Sequence, residues 1–189
     1  MIKEKKKICI STWYRSTNYG TGLQALALRN FLENLGYECF FLEDRRMGKK
    51  DYSKIHRKLS FSLLGIAFSK LKNRKSFEKR RALIRNYDEK QNQIFEINTE
   101  QDIEELNRKT DIFIAGGDQI WNPYVLEEKH LFTMVQNNKK MLSFGTSVGV
   151  SEIPAELRKT YKVYLSRLQA ISVREKQSVQ ALEFLQEEI

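Results

Sequence analysis

The sequence predicts an α/β fold on a mainly parallel sheet, a Rossmann-like domain. Short apolar runs alternate with stretches of helical periodicity along most of the chain, the pattern of repeated β-α-β units. The runs are short and nearly continuous rather than alternating, Ile112 to Ala115 above all, as in strands covered on both faces. Several of them end in glycine-rich or small polar turns, where open α/β sheets bind their ligands. Residues 1–189 are read as one such domain with a basic helical insertion at about 45–93.

Lys7 to Trp13 reads as the first strand, followed by the polar loop Tyr14-Arg-Ser-Thr-Asn-Tyr19 and then Gly20-Thr-Gly22. Thr21 with Gln24 fits a capping box. Leu23, Leu26, Ala27, Phe31, Leu32 and Leu35 then recur at helical spacing, and Gly36 closes the helix. Tyr37 to Leu42 is the second strand, expected parallel to the first through a right-handed crossover. A charged helical pattern covers about Ser76 to Gln93, and Phe95-Glu-Ile97 is a short strand. Thr99 with Asp102 caps a helix ending near Arg108, and the central strand 111–115 comes next. The stretch from Pro123 to Asn138 reads as irregular. Lys140 to Thr146 is a strand, Pro154 opens a helix reaching about Leu168, and Ala170 to Arg174 is a last strand. Glu175 begins a helix with Val179, Leu182 and Leu185 on one face. If this sheet is parallel, Asn18, Asp118, Gly145 and Arg174 lie along one rim of it.

Charge and cysteine content narrow the function classes. The chain carries a net charge of +9, unevenly spread. Arg45 to Arg85 holds 15 Lys+Arg against 2 acids, and the remainder 18 against 22, so the basicity belongs to the insertion. Cys9 and Cys39 both fall in strands, and with two scattered histidines they form neither a disulfide framework nor a metal-ligand pattern. Reduced, buried thiols in a cytoplasmic protein are expected. The apolar run behind Lys3, Lys5, Lys6 and Lys7 is too short for a signal peptide. The apolar stretch Leu59 to Leu71, bracketed by Arg57, Lys58, Lys70, Lys72, Arg74 and Lys75, allows two readings. One is a helix docking residues 57–75 on an anionic membrane surface, a peripheral attachment. The other is a helix packed on its own domain with solvated lysines.

Candidate chemistry gathers at the strand ends. After the central strand, Gly116-Gly117 breaks the chain and presents Asp118, Gln119, Trp121 and Asn122. Two glycines permit positive φ or close approach of backbone to a ligand. Gly20-Thr-Gly22-Leu-Gln-Ala25 matches G-x-G-x-x-A, with Glu43-Asp44 where a ribose-binding acid would stand. However, six residues separate strand and glycine, so a nicotinamide site fits poorly. The helix start can still hold an anion. Ser143-Phe-Gly-Thr-Ser-Val-Gly149 reads as a tight turn, Arg174-Glu175 as an edge ion pair on the same rim as Asp118, and His56 and His130 as structural or solvated.

Asn18-Tyr-Gly20 with Leu23-Gln-Ala-Leu26, Asp111-Ile-Phe-Ile-Ala-Gly-Gly-Asp-Gln-Ile-Trp-Asn-Pro123, Ser143-Phe-Gly145 and Ile171-Ser-Val-Arg-Glu175 occur in an order that resembles the amino-terminal half of the polysaccharide pyruvyl transferase family. The resemblance implies a two-domain architecture like that of GT-B glycosyltransferases, with the site in the interdomain cleft and the carboxy-terminal domain absent from these residues. It implies a pyruvyl group moved from phosphoenolpyruvate, as donor substrate and without a cofactor, onto a saccharide or lipid-linked glycan acceptor of the cell surface. Asp118 is then the candidate for acid–base work or acceptor positioning, and Arg174 for the donor's carboxylate or phosphate. Trp121 and Tyr14 are candidates to stack on a sugar, with Asn18, Gln119 and Asn122 bonding its hydroxyls and Gly20 and Gly117 also counted among the substrate-binding residues. A single wall is expected to fold without turning over. Two rivals remain: a glycosyltransferase using a nucleotide-sugar, and a non-catalytic domain acting through the basic insertion. Nucleic acid is not the expected partner, because Tyr52, Phe61, Phe68 and Phe77 are not interleaved with the cations for base stacking.

Overall fold

The computed structural model describes residues 4–15, 18–46 and 93–186. Five strands form one all-parallel sheet in the order β3-β2-β1-β4-β5: β1 (Lys7–Ser11), β2 (Glu38–Asp44), β3 (Ile94–Ile97), β4 (Ile112–Gly116) and β5 (Lys140–Phe144). Helices α1 (Tyr19–Asn34), α2 (Glu100–Lys109), α3 (Ala155–Leu165) and α4 (Lys176–Ala181) accompany it, with 3-10 turns at Glu128–Leu131 and Glu183–Gln186. The order reverses between β1 and β4, which makes that junction the topological switch point. The fold is the Rossmann-like α/β class.

Side chains alternate across the pleat, so each face of the sheet has its own core. Ile8, Ile10, Cys39, Phe41 and Ile114 pack with Ala25, Leu28 and Leu32 of α1 on one face. Cys9, Phe40, Leu42, Phe113 and Met141 face the larger cluster on the other, with Leu106 of α2 and Leu157, Tyr161 and Leu165 of α3. Cys9 and Cys39 therefore lie in opposite layers as free thiols. Burial raises both thiol pKa values, that of Cys39 to about 11. The segment between β4 and β5 is no surface loop: Leu126, Leu131, Phe132, Met134 and Val135 belong to the larger core.

Three expectations need correction. First, α1 starts at Tyr19, capped by Asn18, whose side chain accepts from Gly20 N; Thr21 lies inside the first turn and is no cap. Its buried face is Thr21, Ala25, Leu28 and Leu32, whereas Leu23, Phe31 and Leu35 are exposed. The sheet selected the face with small residues, which lets the helix approach closely. A Cβ on Gly116 would come within 2.5 Å of Leu28 Cδ2. Second, 170–174 makes isolated parallel bridges, Leu142↔Ala170 and Thr146↔Val173, instead of a strand. Ser143 Oγ intrudes between them, accepting from Ser172 N at 2.9 Å and donating to Ser172 O at 3.1 Å. Third, the last helix is short and Val179 is exposed, its inward positions being Ser178, Ala181, Leu182 and Phe184. The cap at Thr99 forms as expected, with Thr99 Oγ1 accepting from Asp102 N and the Asp102 carboxylate from Thr99 N.

Of the basic insertion, Arg45, Arg46 and Gln93 are described, and both arginines serve the domain. Arg45 pairs with Glu96 at 2.6 Å, and Arg46 binds the buried Asp44 and reaches Glu100 at 3.2 Å. The expected helices there, the membrane-docking residues 57–75 and His56 lie outside the described residues. No helix among the described residues is long and apolar enough to cross a membrane.

Candidate active site

The carboxyl ends of the strands bring together side chains that are distant in sequence. At the switch point β4 runs into Gly117, whose φ of +101° places it in the left-handed region. A Cβ there would stand 2.7 Å from Thr12 Oγ1, so glycine meets both the backbone and the space requirement. Asp118 follows, half-buried, with both carboxylate oxygens engaged. Oδ2 accepts from Thr21 Oγ1 in the first turn of α1 at 2.9 Å, and Oδ1 pairs with Arg174 Nη1 at 3.3 Å. The positive end of the α1 dipole favours a negative group there. Asp118 thus occupies the kind of place where a helix start receives a ligand anion.

Arg174 is set at the rim by its own backbone, since its N–H donates to Thr146 O at 3.0 Å. Its Nε contacts Glu175 Oε2 at 3.2 Å, and Glu175 Oε1 accepts from Ser147 Oγ at 2.6 Å and from Ser178 Oγ. Ser178 Oγ in turn receives the buried Val148 N–H. The result is a continuous polar chain, Thr21–Asp118–Arg174–Glu175–Ser147/Ser178, from the first turn of α1 to α4. The Arg174 side chain stays 41% exposed, and ion pairs so open to water contribute roughly 0–1 kcal/mol. Arg174 can therefore exchange Asp118 for an incoming anion at little cost.

Glu175 is the anchor of that chain, and its carboxyl is held below its ordinary pKa. Burial pushes the other way and is outweighed by hydrogen bonds from Ser147 and Ser178 and by Arg174. A carboxyl whose folded value lies below its unfolded one stabilises the fold above the unfolded value, and that contribution is lost as pH falls through the folded one. The wild-type protein is therefore expected to lose more thermal stability than Glu175→Gln between neutral pH and pH well below about 4.3. Equal losses in the two melting series would show that the Glu175 contacts contribute nothing.

The other sequence-selected residues separate into two groups. Gln119 and Asn122 stay accessible and bond each other, Asn122 Nδ2 donating to Gln119 Oε1 at 3.0 Å. Gln119 also covers Gly149, where a Cβ would meet its Cδ at 2.6 Å. Trp121 is not a sugar platform: it is fully buried, and its Nε1 donates to His130 O at 2.9 Å. Tyr14 is not one either, being buried, stacked on Phe41 at 4.8 Å and bonded to Glu43 at 3.0 Å. Asn18 caps α1, and Gly20 and Gly22 lie within its first turns. Neither shows positive φ, so the glycine pattern is not a dinucleotide-binding turn. Thr21, Glu175, Ser147 and Ser178 carry the site with Asp118 and Arg174. In sequence Thr21 reads as a helix cap and 143–149 as a tight turn, and Ser178 carries no signal of its own. Among the described residues no three His, Cys, Asp or Glu side chains form a metal-holding group.

A parallel sheet with helices on both faces defines a Rossmann-like α/β domain, here with a charged cluster at its switch point. A family model described as Polysaccharide pyruvyl transferase matches residues 18–186. The chain belongs to the polysaccharide pyruvyl transferase family, whose name points to a transferase with a polysaccharide acceptor. No curated protein and no solved structure matches the chain.

Proposed function

We propose that the Asp118–Arg174 rim is a wall of a site that moves the carboxyvinyl carbons of phosphoenolpyruvate onto two hydroxyls of a sugar, forming a ketal. The observation that carries this reading is the exchangeable ion pair between Arg174 and Asp118 at the start of α1. The donor brings a carboxylate and a phosphate, for which a guanidinium fork is the suited partner. When the donor's anion takes Arg174, Asp118 is released beside it.

In the reaction two C–O bonds form at C2 and the bond to the phosphate oxygen breaks. Of the two hydroxyl protons, one ends on the vinyl carbon, giving the methyl group, and one leaves with phosphate. Both oxygens of Asp118 act as acceptors in this geometry, so its role is to take a proton from an attacking hydroxyl. Thr21 holds that carboxylate in orientation, and Glu175 does the same for the guanidinium.

The test is incubation of these residues, joined to a carboxy-terminal domain of the family as the second wall, with phosphoenolpyruvate and a saccharide acceptor, following phosphate release and the ketal methyl signal by NMR. The expected result is one phosphate per ketal. Phosphate released without ketal, or neither product from any acceptor, would overturn the reading.

A further inference from the structure

Gln119 follows Asp118 directly, and its surroundings fix which end of its amide it shows. The backbone N–H of Tyr124 donates to Asn122 Oδ1 at 3.0 Å, so a donor identifies the oxygen of the Asn122 amide. Asn122 Nδ2 is then itself a donor and meets Gln119 Oε1 at 3.0 Å. Gln119 therefore turns its Nε2 away from Asn122, and no protein group among the described residues bonds it. An exposed glutamine ordinarily samples many rotamers, and holding one has an entropic cost. This one is held twice, by Asn122 and by a seat. Gly149 lies against it with φ of +70°, and a Cβ there would fall 2.6 Å from Gln119 Cδ, 2.7 Å from Oε1 and 2.9 Å from Cγ. The amide thus rests on the bare backbone of Gly149. The same turn carries Ser147, which holds Glu175 and through it Arg174, so one turn positions both amide and guanidinium.

We propose that Gly149 is a positioning residue that aims the Gln119 amide N–H pair at a hydroxyl oxygen of the acceptor sugar. The proposal rests on the pyruvyl-transfer reading above. A ketal across two hydroxyls requires both to be held together at C2. The two neighbouring residues differ in what they can take. Asp118 has only lone pairs and receives the proton of one hydroxyl, whereas Gln119 shows N–H and needs the lone pairs of an oxygen. A pair of hydroxyls meets both demands, one donating and one accepting. The charged oxygens of phosphoenolpyruvate are better matched by Arg174, since a charge-assisted hydrogen bond is roughly twice as strong as a neutral one. The amide therefore falls to the acceptor. A methyl group at 149 would press on the far end of a flexible side chain and not on backbone, so the amide is what moves.

The test uses a protein that carries both walls of the cleft, titrated by saturation-transfer NMR with methyl hexosides and separately with phosphoenolpyruvate. Gly149→Ala, Gln119→Ala and the double variant are compared with wild type. Each single variant should weaken hexoside binding at least fivefold and leave phosphoenolpyruvate binding within twofold. The double variant should bind no worse than Gln119→Ala, because without the amide Gly149 has nothing to seat. In turnover the same split should appear as a raised acceptor KM, with kcat and donor KM within twofold. Gly149→Ala should lower the melting temperature in both backgrounds, since a positive φ strains any side chain. A glycine that serves the turn alone would give that lower melting temperature with unchanged hexoside affinity, and this overturns the proposal. So do a loss that falls on phosphoenolpyruvate, losses that add in the double variant, or no hexoside binding by wild type. The two readings fail separately. The expected hexoside pattern in a protein that forms no ketal removes the transfer chemistry alone. Ketal formation with an acceptor KM indifferent to both single variants removes the role of the amide alone.

Discussion

In a protein that carries both walls of the cleft, Asp118→Asn is expected to lower ketal formation by about 10²–10⁴-fold while moving the melting temperature by no more than a few degrees. The amide keeps the shape of the carboxylate and can still accept from Thr21 Oγ1, so the link between β4 and α1 survives. It cannot pair with Arg174 as an ion, but that pair is open to water and contributes little to stability. The amide also cannot take a proton from an attacking hydroxyl, and this loss falls on the rate. Donor affinity should not fall, because Arg174 no longer has to leave a competing carboxylate. The combination of a large loss in kcat with an unchanged or lower KM for phosphoenolpyruvate is the signature of a proton acceptor. A variant that loses rate only through a raised donor KM would reassign Asp118 to donor binding.

How much of this was legible before the structure depends on which physical term decided each feature. The sheet was legible, because buried parallel strands must be short and apolar, and the strand ends then locate the rim. Asp118 and Arg174 meet because each follows a segment with the same direction in the sheet. The inward face of α1 was not legible from periodicity. Leu23, Phe31 and Leu35 are as regularly spaced as Thr21, Ala25, Leu28 and Leu32, and the choice was made by the distance at which a helix can settle on Gly116. The last strand failed because one hydroxyl, Ser143 Oγ, took over the bonds a ladder would have made. Lys129 reads as a surface cation in sequence. Its burial is allowed by Glu127 at 3.2 Å together with Glu43, from the distant β2, at 3.9 Å, since a buried charge needs a partner. The aromatic residues of the motif were the least legible, because composition does not say which side of the sheet rim a ring will take.

Trp121 offers the sharpest test of that last point, since its motif suggests a ligand platform and its surroundings indicate a core residue. It has no exposed surface, its Nε1 donates to His130 O, and its own carbonyl accepts from the buried Tyr161 Oη at 2.7 Å. The ring thereby ties the segment after β4 to the 3-10 turn at Glu128–Leu131, and the backbone beside it ties that segment to α3. Trp121→Ala removes a large buried ring and should cost about 3–5 kcal/mol. In a domain of this size that is a melting temperature lower by about 10 °C or more, or failure to fold. Trp121→Phe keeps most of the volume and leaves the His130 carbonyl without its donor, a smaller cost of about 1–3 kcal/mol. If the ring is core, the Phe variant should keep its rate per folded molecule and its acceptor KM within a few-fold of wild type, with the deficit confined to the melting curve. A hundredfold rise in acceptor KM in a Trp121→Phe protein of near-normal stability would instead mean that the indole reaches the sugar, through a movement of the 117–122 loop.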